Sequence, residues 1–352
     1  MSIDIFTEED RQRERERLAT YDLDVKFFSQ LGLKIKQLVP ERNCFRIESD
    51  KGFYCLKKMY FPPEEIALMQ ELTKHLECKG FTNTFDIAVQ ADGEIAVSYG
   101  GSQYYLTKWM DGRDSDYLNL LDIKAAVEAL GAFHRSADGF EEKDHFGRKL
   151  YGSWQQGFMQ KLEEIRRAKE QLMAMGDKQN NLQVLVDYVD KSKESAEHAL
   201  RLLEEPFYEK LNSRDEEACG FIHHDFGLHN ILHTFDGRTY IGGLESYAFD
   251  IRMHDLGHFL YRIMRRRGWD LELALDIIGS YDELYKLKKE DYQALCMYFT
   301  FPHDFKQLYR QRLAAGGEPE ELEEMDRVNI ESEYNRDRQR FLTEFTTYAQ
   351  LL

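Results

Sequence analysis

The chain has 352 residues, enough for one large domain or two moderate ones with real cores. Hydrophobic residues make up 42% and charged residues 32%, the mix of an ordinary globular protein. The formal net charge of -17 argues against broad binding to nucleic acid or anionic membranes, which needs a basic footprint, and leaves room for a local basic pocket. There is no apolar run near the roughly 18 residues of a membrane-spanning helix. The charged start MSIDIFTEEDRQRERERL lacks the apolar stretch of a secretion signal. The cysteines are scattered, odd in number and form no C-x-x-C, so a reducing compartment is expected, without a disulfide framework or zinc site.

In chain order, Thr7 to Thr20 reads as a short charged helix, with Thr7 and Asp10 resembling a capping box. From about Val25 to Met110 the pattern is strand-rich with one helix. Cys44–Glu48 and Phe53–Tyr60 are β-prone runs separated by the turn Ser49–Gly52, and predict a hairpin. Pro62–Pro63 opens a helix to about Cys78, with Leu68, Leu72, Thr73 and Leu76 on one face. Asp92–Gly93 predicts a second hairpin, joining Ile87–Gln90 to Glu94–Tyr99. Tyr104–Met110 is a last strand, which Asp111–Gly112 ends.

Beyond Gly112 the pattern is mainly helical. Ile123, Val127, Leu130 and His134 recur at helical steps. Trp154 to Leu203 is a long charged helical stretch with a break near Gly176. The last third is helical, punctuated at Gly279, Phe301–Pro302 and Gly316–Pro319. The expected division is a charged helix over 1–20, a small sheet-bearing lobe over 21–110 and a helical lobe over 111–352. The larger lobe carries one hairpin within 221–245. A ligand is expected between the two lobes.

Phe221 to Asp255 carries the chemistry. His223, Asp225 and Asn230 give H-x-D-x4-N. Phosphoryl transfer needs a carboxylate beside the acceptor hydroxyl and a side-chain oxygen that holds a divalent metal. Asp225 and Asn230 supply both on one short loop. Two strands follow around the turn Asp236–Gly237. The second should deliver a metal-chelating carboxylate, but the chain there reads Ile241-Gly242-Gly243-Leu244-Glu245.

In the smaller lobe, strand alternation puts Lys57 on one face with Phe53 and Cys55. That is the place for a phosphate-contacting lysine; a solvent-facing strand lysine is the plain alternative. Glu65 and Glu71 lie near the inner face of the following helix, and Glu65 is the preferred partner for Lys57. His223 reads as a packed histidine holding the loop. Asp255 reads as the N-cap of a helix over Leu256–Arg266, with possible backbone contacts to the loop. Arg262 and Arg265–Arg267 end that helix where positive charge suits its dipole.

The chain resembles the aminoglycoside phosphotransferase and choline kinase-like families and, more closely, the CotS family of spore coat proteins. The resemblance rests on Phe45–Glu48, Gly52–Lys57, Leu76–Phe81, Tyr105–Arg113, Leu130–Phe140, His223–Leu232, Ser246–Leu256 and Phe301–Phe305 in this order. It implies an α+β, bilobal protein-kinase-like fold, with a small antiparallel-sheet lobe and a large mainly helical one. It makes Lys57 the phosphate-contacting lysine. It also makes Thr107, Lys108, Trp109 and Met110 the hinge meeting an adenine edge, Asp225 the acceptor-orienting base and Asn230 a metal ligand. ATP and Mg²⁺ are the implied cofactors. Other spore coat proteins, and a small-molecule or protein acceptor, are the implied partners. The implied location is the mother-cell cytoplasm and then the spore coat.

Gly243 stands where those families carry the principal metal-binding Asp. Its absence leaves a neutral amide and Asp225, and predicts phosphotransfer that is impaired or absent. Glu245, two residues on, is the candidate substitute: in an extended strand it would lie about 6.6 Å along the same face. With that substitution the chain reads as an active ATP-dependent kinase. A plain antibiotic phosphotransferase would also need an acidic acceptor site, and no segment marks one. Pro40–Cys44, where a phosphate-cradling loop would lie, has no glycine.

Overall fold

The computed structural model describes residues 21, 23–41, 44–62, 64–88, 96–140, 148–175, 182–218, 220–306, 309 and 322–352. The expected helix at Thr7–Thr20, the turn at Asp92–Gly93, the break at Gly176, the loop Gly316–Pro319, and Pro63, Arg42, Asn43 and Cys219 lie outside these residues. The chain divides into two units. One comprises residues 1–115 with 229–245, the other 116–228 with 246–352.

The first unit begins with helix α1 (Val25–Gln30), which Asp24 caps by accepting from the Phe27 N–H at 2.9 Å. A five-stranded antiparallel sheet follows: β1 (Ile35–Glu41), β2 (Cys44–Ser49), β3 (Gly52–Lys58), β4 (Val97–Tyr99) and β5 (Ser102–Lys108). Their spatial order is β1-β2-β3-β5-β4. Helix α2 (Glu64–Cys78) buries Leu68, Leu72, Thr73 and Leu76, the expected face. Phe27, Ile47, Leu56, Tyr104 and Leu106 form the core against one side of the sheet.

The hairpin expected between Ile87–Gln90 and Glu94–Tyr99 has residues 89–90 and 94–95 outside the described residues, and its described ends pair with β5. β4 pairs with β5, through Gly100 and Gly101 at φ +57° and +76°. A turn with two positive φ values matches the strand twist, and glycine adopts it without strain. Ile87 instead bridges Thr107 of β5. Asp111–Gly112 does end β5, but Gly112 also opens β6 (Gly112–Asp114). β6 joins β7 (Ile231–Thr234) and β8 (Thr239–Ile241) in a second sheet. Residues 229–245 group with residues 1–115, where the sequence reading placed the hairpin segment 221–245 in the larger lobe.

The second unit is built from helices α3 (Leu120–Ala137), α4 (Trp154–Met175), α5 (Leu182–Leu202), α6 (Pro206–Glu217), α7 (Met253–Arg267), α8 (Leu271–Asp282), α9 (Lys289–Thr300) and α10 (Leu322–Leu351). α4 and α5 pair as a hairpin, and α3 packs on α8. α9 touches α5, α6, α7 and α10. Every residue from Ala294 to Thr300 is buried, as expected for a helix enclosed on all sides. Inside this unit Arg214 makes a two-pronged contact with Asp291 at 2.6 and 2.8 Å. Arg338 donates to the carbonyls of Phe299, Thr300 and Phe301 at the end of α9.

Candidate functional site

The expected site residues divide between the two units: Lys57, Glu65, Thr107–Met110, Asn230, Gly243 and Glu245 in the first, His223 and Asp225 in the second.

In the first unit, Lys57 stands opposite Tyr105, and Cys55 opposite Thr107. The Lys57 ammonium meets Glu245, not Glu65: Nζ to Oε1 is 3.1 Å, with each side chain about a quarter exposed, 23% and 27%. Burial alone would lower the lysine's pKa; the Glu245 carboxylate outweighs it and holds the group well above its ordinary value. Glu65 is itself buried on α2.

The route of the backbone explains why Glu245 arrives there. β8 ends at Ile241, Gly243 takes φ +79°, and Leu244–Ser246 forms a 3₁₀ turn. Glu245 is thus no longer on the face of an extended strand, as the sequence reading had it. Gly243 lies directly against Asn230. A Cβ there would stand 2.7, 2.7 and 2.8 Å from Asn230 Cγ, Nδ2 and Oδ1. The Gly242 N–H also donates to the Asn230 carbonyl at 2.7 Å.

Position 243 and Asn230 are therefore side by side, as a metal-binding pair would require, but the donors present are one neutral amide and no carboxylate. Glu245 is engaged with Lys57. Among the described residues, no three His, Cys, Asp or Glu side chains gather so as to hold a metal ion. This set does not fit the hard, oxygen-rich shell Mg²⁺ prefers.

In the segment expected to be the hinge, Thr107 is buried and the Lys108 N–H donates to the Asp86 carbonyl at 3.1 Å. The Lys108 ammonium pairs with the Asp86 carboxylate at 2.9 Å. The Trp109 N–H donates to the Phe53 carbonyl at 3.0 Å, and its indole N–H to Asp111 at 3.1 Å. Among the described residues, the Met110 N–H makes no backbone hydrogen bond.

In the second unit the H-x-D loop hangs on Asp255. The helix starts at Met253, so Asp255 lies inside its first turn and is not its N-cap. Its two oxygens turn back to the loop. Oδ2 accepts from the His223 N–H at 2.7 Å and Oδ1 from the His224 N–H at 2.8 Å. His134 Nε2 lies 3.1 Å from Oδ2, and His134 Nδ1 lies 2.6 Å from the Tyr281 hydroxyl. Full burial would raise the Asp255 pKa; the contacts from His134 and His254 outweigh it and hold the carboxyl well below the usual range. The His223 ring is fully buried against Phe133 and Phe226, and its Nδ1 accepts from the Asp225 N–H at 3.3 Å.

His224, next to Asp225, takes φ +68°, unusual outside glycine. Its ring stacks on His254 at 4.5 Å, and His254 faces His258 at 6.2 Å. The sequence reading placed His134 on a helix face with Ile123, Val127 and Leu130, and nothing local marked His224 as left-handed. Burial lowers the His224 pKa to about 4 and, with Arg262, the His258 pKa to about 3. Both rings are expected to stay neutral at pH 6. NMR titration should find neither changing charge between pH 5 and 7.5; a midpoint for either within that range overturns the assignment.

Residues 26–345 match the family described as spore coat putative kinase YutH. Spore coat protein S of Bacillus subtilis (strain 168) is 25% identical over 266 residues, covering 75% of each chain. The solved aminoglycoside phosphotransferase from Alicyclobacillus acidocaldarius superposes with a TM-score of 0.80 at 21% identity, over 95% of this chain and 98% of that one. A spectinomycin phosphotransferase bound to ADP and spectinomycin superposes with a TM-score of 0.53 at 13% identity, over 94% and 100%. The fold is thus the α+β, protein-kinase-like one, with a small antiparallel-sheet lobe and a large mainly helical one. The match over nearly the whole length, on a chain whose H-x-D loop hangs on Asp255 and whose lysine meets Glu245, makes it a member of the spore coat putative kinase YutH family.

Proposed function

We propose that this chain is a spore coat protein that keeps a kinase fold with impaired or absent phosphotransfer. In this reading it serves as a binding or assembly module among other coat proteins, made in the mother-cell cytoplasm and carried into the coat. The observation that carries this is the pair Gly243 and Glu245. The first offers no carboxylate beside Asn230, and the second is held by Lys57. Charge stabilisation is the main work of phosphoryl transfer, so the missing ligand bears on rate more than on nucleotide affinity. The coat assignment leans on the family and on its Bacillus relative. No helix among the described residues is long and apolar enough to cross a membrane.

A second reading is an active ATP-dependent kinase for a small-molecule or protein acceptor, using Asp225, Asn230 and Glu245. It is favoured by the nearness of Glu245 to the lysine that would meet phosphate. Calorimetric titration of ATP with and without Mg²⁺ separates the two. The proposal expects ATP affinity to change less than about threefold with Mg²⁺, because the metal lacks its carboxylate. Tight binding that requires Mg²⁺ would transfer the assignment to the active kinase. No binding in either condition would leave assembly alone.

A further inference from the structure

Arg46 lies on β2 directly opposite Cys55 of β3. Cross-strand partners share a face, so Arg46 projects on the side that carries Cys55 and, two residues on, Lys57. Its guanidinium lies over two rings, 5.8 Å from the centre of Phe53 and 5.6 Å from Trp109. Its Nε is buried and has no hydrogen-bond partner among the described residues. A buried donor left unpaired is costly, and a guanidinium has no acceptor atom with which to relieve it.

We propose that Arg46 makes the nucleotide site select guanine over adenine, a specificity that rests on the nucleotide-binding part of the reading above. Phe53 and Trp109, at the hinge end of the sheet, hold the guanidinium against their rings. Among the groups there, the Arg46 fork and the Met110 N–H are donors. Guanine offers two adjacent acceptors, O6 and N7, which a guanidinium grips with two parallel bonds. Adenine places an amino donor beside N7, so one arm of the fork would meet a donor. The Lys108 and Trp109 N–H groups are already held by the Asp86 and Phe53 carbonyls. Lys57 lies two residues along β3 from Cys55, about 6.6 Å, on the same face. A base at Arg46 and phosphates at Lys57 can therefore lie along one side of the sheet.

Calorimetric titration of the full chain with GTP and with ATP tests this. GTP is expected to bind about 10-fold or more tighter than ATP. Arg46→Ala and Arg46→Lys should both weaken GTP binding far more than ATP binding; lysine keeps the charge but not the fork. Thermal melts identify a variant that has lost its fold, and the comparison between the two bases in the unchanged protein needs no variant. Equal or tighter binding of ATP, or a guanine preference that survives both substitutions, overturns the inference and leaves nucleotide binding standing. If neither nucleotide binds, the nucleotide reading itself falls, and the inference with it.

Discussion

Asp255→Ala is expected to destabilise the helical unit by about 3–5 kcal/mol. Three groups lose their acceptor at once: the N–H groups of His223 and His224, and the His134 ring. Asp255, His134 and His223 are fully buried, so water cannot take over there without opening the packing. Each buried donor left unpaired costs about 1–3 kcal/mol. His224 adds to the effect. Its left-handed backbone is held partly by the bond it would lose, and such strain persists only while its surroundings fix it. Urea unfolding followed by tryptophan fluorescence measures the change, since Trp154 and Trp269 both lie in this unit. A loss under about 1 kcal/mol would mean the loop is held by other contacts.

Gly243→Asp is expected to raise Mg²⁺-dependent ATP turnover by about 100-fold, the order of a single preorganised electrostatic contact. The substitution has a cost. At φ +79° any L-residue is strained, and the new Cβ meets the Asn230 carboxamide at 2.7–2.8 Å. Aspartate is among the few residues that visit this region readily, and the carboxamide is the end of a side chain that can turn aside. A stability loss of about 1–2 kcal/mol is therefore expected with the gain. Gly243→Ala carries the same Cβ without the carboxylate, and should show the strain without the turnover. If the aspartate brings no gain, or the alanine brings the same gain, the missing carboxylate is not what limits the chemistry.

What the sequence made legible was mostly local. The hairpin of β7 and β8 followed from Asp236–Gly237 between β-prone runs, and it forms over Ile231–Thr234 and Thr239–Ile241. The pairing of Asn230 with position 243 was also legible, because the same hairpin brings them together. Lys57 and Glu245 were harder. They are 188 residues apart, and the left-handed turn at Gly243 decides where Glu245 goes. Strand periodicity carries no information about such a turn. Asp255 shows the same limit. Its position near a helix start suggested a cap, while its oxygens answer donors 31 and 32 residues earlier in the chain. At β4, the sequence reading had no turn at the glycine pair 100–101, which joins β4 to β5.

The smaller unit is assembled from two separated stretches of chain, residues 1–115 and 229–245. β6 finds its partner in β7, and the Ile241 N–H reaches back to the Asn83 carbonyl at 2.9 Å. During synthesis this unit therefore cannot close when its first stretch leaves the ribosome. It waits, with one edge of β6 unpaired and Lys57 without Glu245, until the hairpin has been translated. Exposed strand edges of this kind are where chains join one another, so the interval before Glu245 emerges is when a nascent chain is most open to capture by a chaperone or by another copy of itself.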